Sequence, residues 1–194
     1  MRIRLILIAL CISMSLSAQS DRDMLDAYRR EDMSVWKTYI DTLPFRVEKG
    51  GGALIYEYGY CGYAVSADKE AAKPYVSRFR EHVEACRTSL PVGHYEMYMS
   101  AVYVFELRLH ESFHPVKAMS LAKEAAKKAP HDPLTLSYLG TSLFYAPRPF
   151  GSKKEALQWF EKAQTYFRDP KWQDSWAREA NEMYIRLCHD KYHL

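Results

Sequence analysis

The sequence predicts an all-α protein in which antiparallel helix pairs stack as a right-handed α-solenoid. Three observations support this fold class. Apolar residues recur at steps of three and four along most of the chain, and prolines separate the periodic segments. An apolar pattern also repeats after 34 residues in the second half of the chain. The alternation of apolar and polar residues that is typical of strands is absent from the sequence.

The N-terminus has the pattern of a secretory signal peptide over residues 1–18. Two arginines precede an apolar stretch from Leu5 to Ile12, and small residues lead to Ala18. The apolar stretch is too short to span a bilayer comfortably. We therefore expect a secreted protein, in the periplasm, whose single domain covers residues 19–194.

Charge and cysteine content exclude several classes of protein. The formal net charge is +3, and two of the basic residues lie in the predicted signal peptide. No block of like charge appears, which argues against nucleic acid and an anionic membrane as partners. No later stretch is apolar enough to span a membrane. Cys61, Cys86 and Cys188 are odd in number, so at most one disulfide bond forms within the chain, and we expect buried apolar cysteines.

Helical periodicity divides the chain into segments. The first runs from Leu25 to Leu43, interrupted on its apolar face only by Asp32, and Pro44 ends it. The triple glycine at 50–52 is a joint and not a phosphate loop, because no Lys-Ser/Thr pair follows it. Seven further helical segments are predicted, at 53–66, 68–89, 94–110, 115–129, 133–146, 152–167 and 171–190.

The repeat has the spacing of a tetratricopeptide unit. The first helix of such a unit has a large residue, two residues, Leu-Gly, two more residues and a large residue, and the set Leu136, Leu139, Gly140 and Leu143 fits it. The same positions 34 residues earlier hold Val102, Phe105, Glu106 and Leu109. In the second helix, small residues recur at Ala118, Ala122 and Ala125, and at Ala156 and Ala163. Small residues let a neighbouring helix approach closely, and large residues fill the groove between helices. The clearest units are about 99–132 and 133–170, and a capping helix at about 171–190 follows.

Four segments resemble small secreted tetratricopeptide-like proteins of Bacteroidota-type bacteria. They are the Tyr/Gly-rich stretch 56–63, the aromatic helix 100–115, the insertion 145–152 and the tryptophan-containing helix 172–187. The insertion includes Pro147, Pro149, Phe150 and Gly151, and Ser152 replaces a second glycine of the pattern. Serine can cap a helix N-terminus, so the following helix can still start there. The resemblance implies the fold and an exported location, and it carries no established activity.

One motif suggests zinc chemistry. His110-Glu111-Ser112-Phe113-His114 matches the H-E-x-x-H pattern, in which two histidines one helical turn apart bind zinc and the glutamate activates water. Pro115 disfavours helical backbone at the preceding residue, and the repeat register assigns the pentapeptide to a turn. A zinc metalloprotease is therefore only a remote alternative, and we expect no enzyme activity, cofactor or metal.

The number of aromatic residues points to a binding surface. The chain contains 15 Tyr, 8 Phe and 4 Trp, and aromatic side chains serve both cores and interfaces. We expect the first helix of each pair to line a concave groove that binds a protein partner. The predicted groove residues are Tyr58, Tyr103, Glu106, Tyr138 and Phe144. An alternative is a periplasmic carrier of a small apolar ligand, with the 145–152 insertion as its lid.

Overall fold

The structure, a computed structural model, describes residues 21–42 and 52–192. Within these ranges every regular element is a helix, which confirms the predicted all-α class. The predicted signal peptide, the helix stop at Pro44 and most of the triple-glycine joint lie outside the described residues. No helix within the described ranges combines the length and the apolar composition that a bilayer crossing requires.

Nine α-helices follow one another along the described chain. Helix α1 covers residues 21–29, and the others are α2 Met33–Thr42, α3 Leu54–Ala67, α4 Lys69–Ala85, α5 His94–Leu109, α6 Pro115–Lys128, α7 Pro133–Tyr145, α8 Lys153–Phe167 and α9 Trp176–Tyr192.

The single helix predicted from Leu25 to Leu43 is wrong, because the structure breaks it after residue 29. Glu31 has φ 57°, a left-handed conformation that a helix interior does not contain. The Asp32 carboxylate then accepts hydrogen bonds from the Ser34 backbone N–H and hydroxyl at 3.2 and 2.5 Å, which caps α2. Asp32, the only polar residue on the predicted apolar face, therefore marks a helix start.

Three consecutive helix pairs form most of the described fold. Helices α3 and α4, α5 and α6, and α7 and α8 pack against each other, and the second helix of each pair packs on the helix that follows it. Alternate helices α3, α5, α7 and α9 also contact one another in that order. The first helices of the pairs therefore lie side by side, and α9 packs mainly on α8.

Small residues lie at the closest approaches, as the repeat predicts. Ala118, Ala122 and Ala125 are buried on α6, and Ala156 and Ala163 are buried on α8. A Cβ atom at Gly140 would lie 2.7 Å from the Phe160 ring, so α7 and α8 can reach this separation only with glycine there. The three cysteines of the described chain are free and buried, as expected for apolar packing.

The starts of α8 and α9 can be compared with the predicted helix boundaries. Ser152 caps α8 by accepting a hydrogen bond from the Glu155 N–H at 3.2 Å, so serine does start this helix. The capping helix predicted at 171–190 is wrong at its start. Asp169 instead caps a short 3-10 helix at Pro170–Trp172, a turn follows, and α9 begins at Trp176.

Candidate partner-binding surface

Three helices meet at Gly59, in the middle of α3. The indole rings of Trp36 on α2 and Trp176 on α9 lie 5.1 Å apart with an interplanar angle of 67°. A Cβ atom at Gly59 would lie 2.1 Å from Trp36 and 3.1 Å from Trp176. The absence of a side chain at this position therefore lets the N-terminal helices and the last helix come together over α3.

Tyr58, next to this glycine, lies deep in the molecule and still keeps partial solvent exposure. Its ring lies 6.0 Å from Trp176 and 5.9 Å from Tyr138. Tyr58 and four neighbouring aromatic side chains keep exposed surface, and we call them the aromatic surface: Tyr28, Tyr58, Tyr145, Trp176 and Tyr184.

The hydroxyl groups of the aromatic surface influence one another. Burial raises the pKa of Tyr58 far above its ordinary value of 10.0, and Tyr138, Tyr28 and Tyr145 raise it further. Burial also raises the pKa of Tyr184, whose hydroxyl lies 3.2 Å from that of Tyr145. The phenols of Tyr58 and Tyr184 therefore stay protonated at any physiological pH and can donate hydrogen bonds.

One polar atom of the aromatic surface has no partner. Nε1 of Trp176 is buried, and no acceptor for its hydrogen lies among the residues that the structure describes. By contrast, Nε1 of Trp36 donates to the Met24 carbonyl at 2.9 Å. A buried donor without an acceptor costs about 1–3 kcal/mol. Another molecule can supply the acceptor only if the indole ring shifts, because this nitrogen is closed off from solvent in the structure.

Behind the aromatic surface, Tyr138 is fixed by a chain of hydrogen bonds. Its hydroxyl donates to Ser100 at 2.9 Å, and the Ser100 hydroxyl donates to the Ala118 carbonyl at 2.7 Å. Burial raises the pKa of Tyr138 to about 12. This chain links α7, α5 and α6, and it holds the rigid wall against which Tyr58 packs.

Helix α1 completes the aromatic surface by pairing with α9. Arg29 forms two hydrogen bonds with the Glu179 carboxylate, at 2.9 and 3.1 Å from Nε, and Arg22 lies 3.4 Å from Asp174. Tyr28 packs 5.8 Å from Trp176. Exposed ion pairs contribute at most about 1 kcal/mol each, so the aromatic contact and the buried side chains of α1 hold this helix in place.

The structure brings together some of the predicted groove residues. Tyr58 and Tyr138 are in contact. Phe144 contacts Tyr184 of the aromatic surface, and the centroids of these two rings lie 5.5 Å apart. Tyr103 and Glu106 lie elsewhere.

The location of Tyr103 follows from helix geometry. It lies two positions, or about 200°, from Phe105, which contacts Tyr58, so the two rings leave α5 on opposite sides. Tyr103 packs under Arg80 and Lys117, and Glu106 accepts a hydrogen bond from Arg80 Nε at 2.7 Å.

The predicted insertion turn follows α7. Phe150 is 52% exposed, and the backbone N–H of Gly151 donates to the Pro147 carbonyl at 3.1 Å. A Cβ atom at Gly151 would lie 2.0 Å from the Ala146 carbonyl oxygen. The turn thus requires glycine at 151 and presents Pro149 and Phe150 at the surface.

The H-E-x-x-H residues lie in a turn, as the repeat register predicts. Helix α5 ends at Leu109, His110 has φ 62°, and α6 starts at Pro115. The two histidines therefore do not occupy one face of a helix. In the part of the chain that the structure describes, no three His, Cys, Asp or Glu side chains come together as metal ligands.

Sequence reasoning missed Tyr28, Trp176 and Tyr184 as members of one surface. Tyr28 meets Trp176 across most of the described chain, as Arg29 meets Glu179, 150 positions away, and Tyr184 meets Phe144 on α7. Helical periodicity reports which residues are apolar, and it carries no information about which distant helices meet. One indication of this surface was present in the sequence, because Trp176 lies at the position that Leu136 occupies in the first helix of the preceding repeat unit.

Comparisons of the chain with known protein families, curated proteins and solved structures find no match.

Proposed function

We propose that this chain is an exported tetratricopeptide-like α-solenoid, capped by α9, that binds a segment of a protein partner on its aromatic surface. The packing of each helix on the next and of alternate helices on one another supports the solenoid. The signal-peptide pattern supports export to the periplasm. The resemblance to secreted tetratricopeptide-like proteins of Bacteroidota-type bacteria belongs to the same proposal.

The unpartnered indole N–H of Trp176 is the observation that carries the binding proposal. Trp176 lies next to Tyr58 and Tyr28, whose rings keep exposed surface, and a shift of the indole would bring its N–H to that surface. A polypeptide offers a carbonyl acceptor at every residue and apolar side chains to pack on the rings. Tyr and Trp are also the residues most enriched among the energetically dominant contacts of protein interfaces.

A small-molecule carrier is the second candidate function, and the same hydroxyl groups favour it. The Tyr145–Tyr184 hydroxyl pair and the Trp176 N–H would orient a ligand with a carbonyl or carboxylate, while the rings would cover its apolar part. The 145–152 insertion adjoins this pair and would close over the ligand.

Native mass spectrometry of the protein purified from its own host separates the two functions. The proposal predicts a co-purifying polypeptide, and a carrier would arrive with a small molecule instead. Trp176→Phe keeps an aromatic ring and removes the unpartnered donor, so we expect the complex to be lost while the helical content is unchanged. Trp159→Phe, on α8 beneath Lys162, is the matched control and should retain the partner. Equal retention by both variants would contradict the proposed surface.

A further inference from the structure

Exposed apolar side chains concentrate where the helix pairs reverse direction. Tyr63 is near the end of α3, Phe113 and Val116 flank the start of α6, and Phe150 precedes α8. Because α3, α5 and α7 lie side by side and each is followed by a reversal, these residues share one edge of the molecule. We call Tyr63, Phe113, Val116 and Phe150 the turn edge.

The turn edge is formed by side chains that project outward. Phe113 is 78% exposed, Val116 64% and Phe150 52%. Beside Phe113 lies an open depression of about 550 Å³, lined by Phe113, His114, Pro115, Val116, Lys117 and Ser120. A lysine and a hydroxyl thus adjoin apolar side chains, a combination that suits a phosphate-bearing headgroup and the upper part of an acyl chain.

Basic residues without a carboxylate partner surround these apolar side chains. Within the described ranges no carboxylate lies at ion-pair distance from Lys117, Arg148 or Lys154, which come from two of the three turns. Lys69, from the remaining turn, donates to His110 Nε2 at 3.0 Å, and this contact ties the first turn to the second.

The turn edge contains four acidic residues, Asp68, Glu70, Glu111 and Glu155, and the first two are engaged within the first turn. Asp68 caps α4 through the Glu70 and Ala71 N–H groups. The Glu70 carboxylate pairs with Lys73 at 2.7 Å. The Lys73 pKa is raised first by Glu70 and further by Glu111, which places Glu111 near the same lysine. The edge therefore carries a modest net positive charge, because its six basic residues outnumber these four acids: Lys69, Lys73, Lys117, Arg148, Lys153 and Lys154.

We propose that the turn edge docks on the surface of an anionic lipid bilayer. Aromatic and aliphatic side chains that project beside lysine and arginine match the headgroup region of a membrane, where rings insert and cations bind acidic headgroups. Each cation near such a surface adds to the attraction. A protein partner would need a pocket for each projecting side chain, whereas a bilayer accepts them all without one.

The linear sequence hides this surface because its charges come from separate turns. Each turn contributes one to three basic residues, so no block of like charge appears along the chain. The fold brings these residues to one edge, so the charge pattern along the chain does not report the charge of this surface.

Co-sedimentation with vesicles tests the proposal, using the chain from residue 19, which lacks the predicted signal peptide and keeps every described residue. We expect binding to vesicles that contain phosphatidylglycerol, weakened at least tenfold with pure phosphatidylcholine and by raised salt. Phe113→Ser with Phe150→Ser, and separately Lys117→Gln with Arg148→Gln and Lys154→Gln, should each weaken binding at least tenfold.

Matched controls lie away from the turn edge. Val92→Ser removes an apolar side chain that is 69% exposed at the opposite end of α5, and Lys123→Gln with Lys127→Gln removes exposed charges from α6. Both controls should bind like the wild type, and circular dichroism establishes that every variant is folded. Absence of vesicle binding, equal binding to neutral vesicles, equal loss in the controls, or binding to polyglutamate but not to vesicles would each overturn the proposal.

Discussion

Trp36 and Trp176 meet edge to face above Gly59, and this contact joins the N-terminal helices to the last helix. Trp36 is fully buried and its indole nitrogen is satisfied by the Met24 carbonyl. Trp176 is partly exposed and its nitrogen is not satisfied within the described chain. One indole therefore serves the core, and the other lies at the border between the core and the proposed binding surface.

Gly59→Ala should destabilise the protein strongly, because the added methyl group would lie 2.1 Å from Trp36. Overpacking of this kind costs about 3 kcal/mol. Gly62→Ala, one turn further along α3, places its methyl group 3.9 Å from Phe105, an ordinary contact, and should stabilise the helix by about 0.5–1 kcal/mol. Urea denaturation measures both changes. Equal effects in the two variants would contradict the close approach at Gly59.

Removing Ser100 should cost more than removing the Tyr138 hydroxyl. Tyr138→Phe loses one hydrogen bond and leaves Ser100 bonded to the Ala118 carbonyl, at a cost of about 1 kcal/mol. Ser100→Ala leaves the buried Tyr138 hydroxyl without its acceptor, at a cost of about 2 kcal/mol. Chemical denaturation of both single variants and the double variant checks this order. Costs that simply add would show that the two groups are not coupled.

Asp132 should make stability depend on pH in the acidic range. Burial alone would raise its pKa, but hydrogen bonding and charge from His94 hold it below the ordinary value of 3.8. A depressed pKa in the folded state adds stability above pH 3.8 that is lost as the pH falls through the folded value.

Asp132→Asn keeps the cap on α7 and removes the charge. We expect it to lower the free energy of unfolding by about 1 kcal/mol at pH 7, with the difference shrinking below pH 3.8. Asp68→Asn, at the exposed cap of α4, is the control and should change little. A difference from wild type that grows as the pH falls would contradict this account.

The protein should purify without stoichiometric zinc. His110 follows the end of α5 and His114 precedes the start of α6, so the two histidines do not lie on one continuous helix. His110→Ala and Glu111→Ala should leave any biological activity intact. His110→Gly should be stabilising by up to about 1 kcal/mol, because φ 62° favours glycine. Elemental analysis is the check, and one zinc per chain that disappears in His114→Ala would establish a metal site.

Local patterns predicted the helices well and their ends less well. The segments from α3 to α8 were predicted to within a few residues, because amphipathic periodicity and proline positions are local signals. The break after residue 29 was missed because Glu31 adopts a conformation that its side chain does not favour. The start of α9 was misplaced because the helical periodicity continues through Pro170–Trp172, where Asp169 caps a short 3-10 helix instead.

The proposed aromatic surface overlaps the predicted groove only in part, and the reason is the range of its contacts. The expectation that the first helices of the pairs line one groove placed Tyr58 and Tyr138 together, and their rings are in contact. Tyr103 points away from them because the pattern identifies the helix and not the side of the helix. Tyr28 joins the surface through Trp176, near the other end of the described chain, and Tyr184 joins it through Phe144 on α7; no local signal encodes either contact.

Site-specific photo-crosslinking in the native host tests the central claim most directly. A p-benzoylphenylalanine in place of Tyr184 would sit in the aromatic surface beside Tyr145, and one in place of Trp159 would sit on α8 beneath Lys162. The account predicts a defined polypeptide cross-linked from position 184 and none from position 159. The same products from both positions, or no product from position 184 in a folded protein, would contradict it.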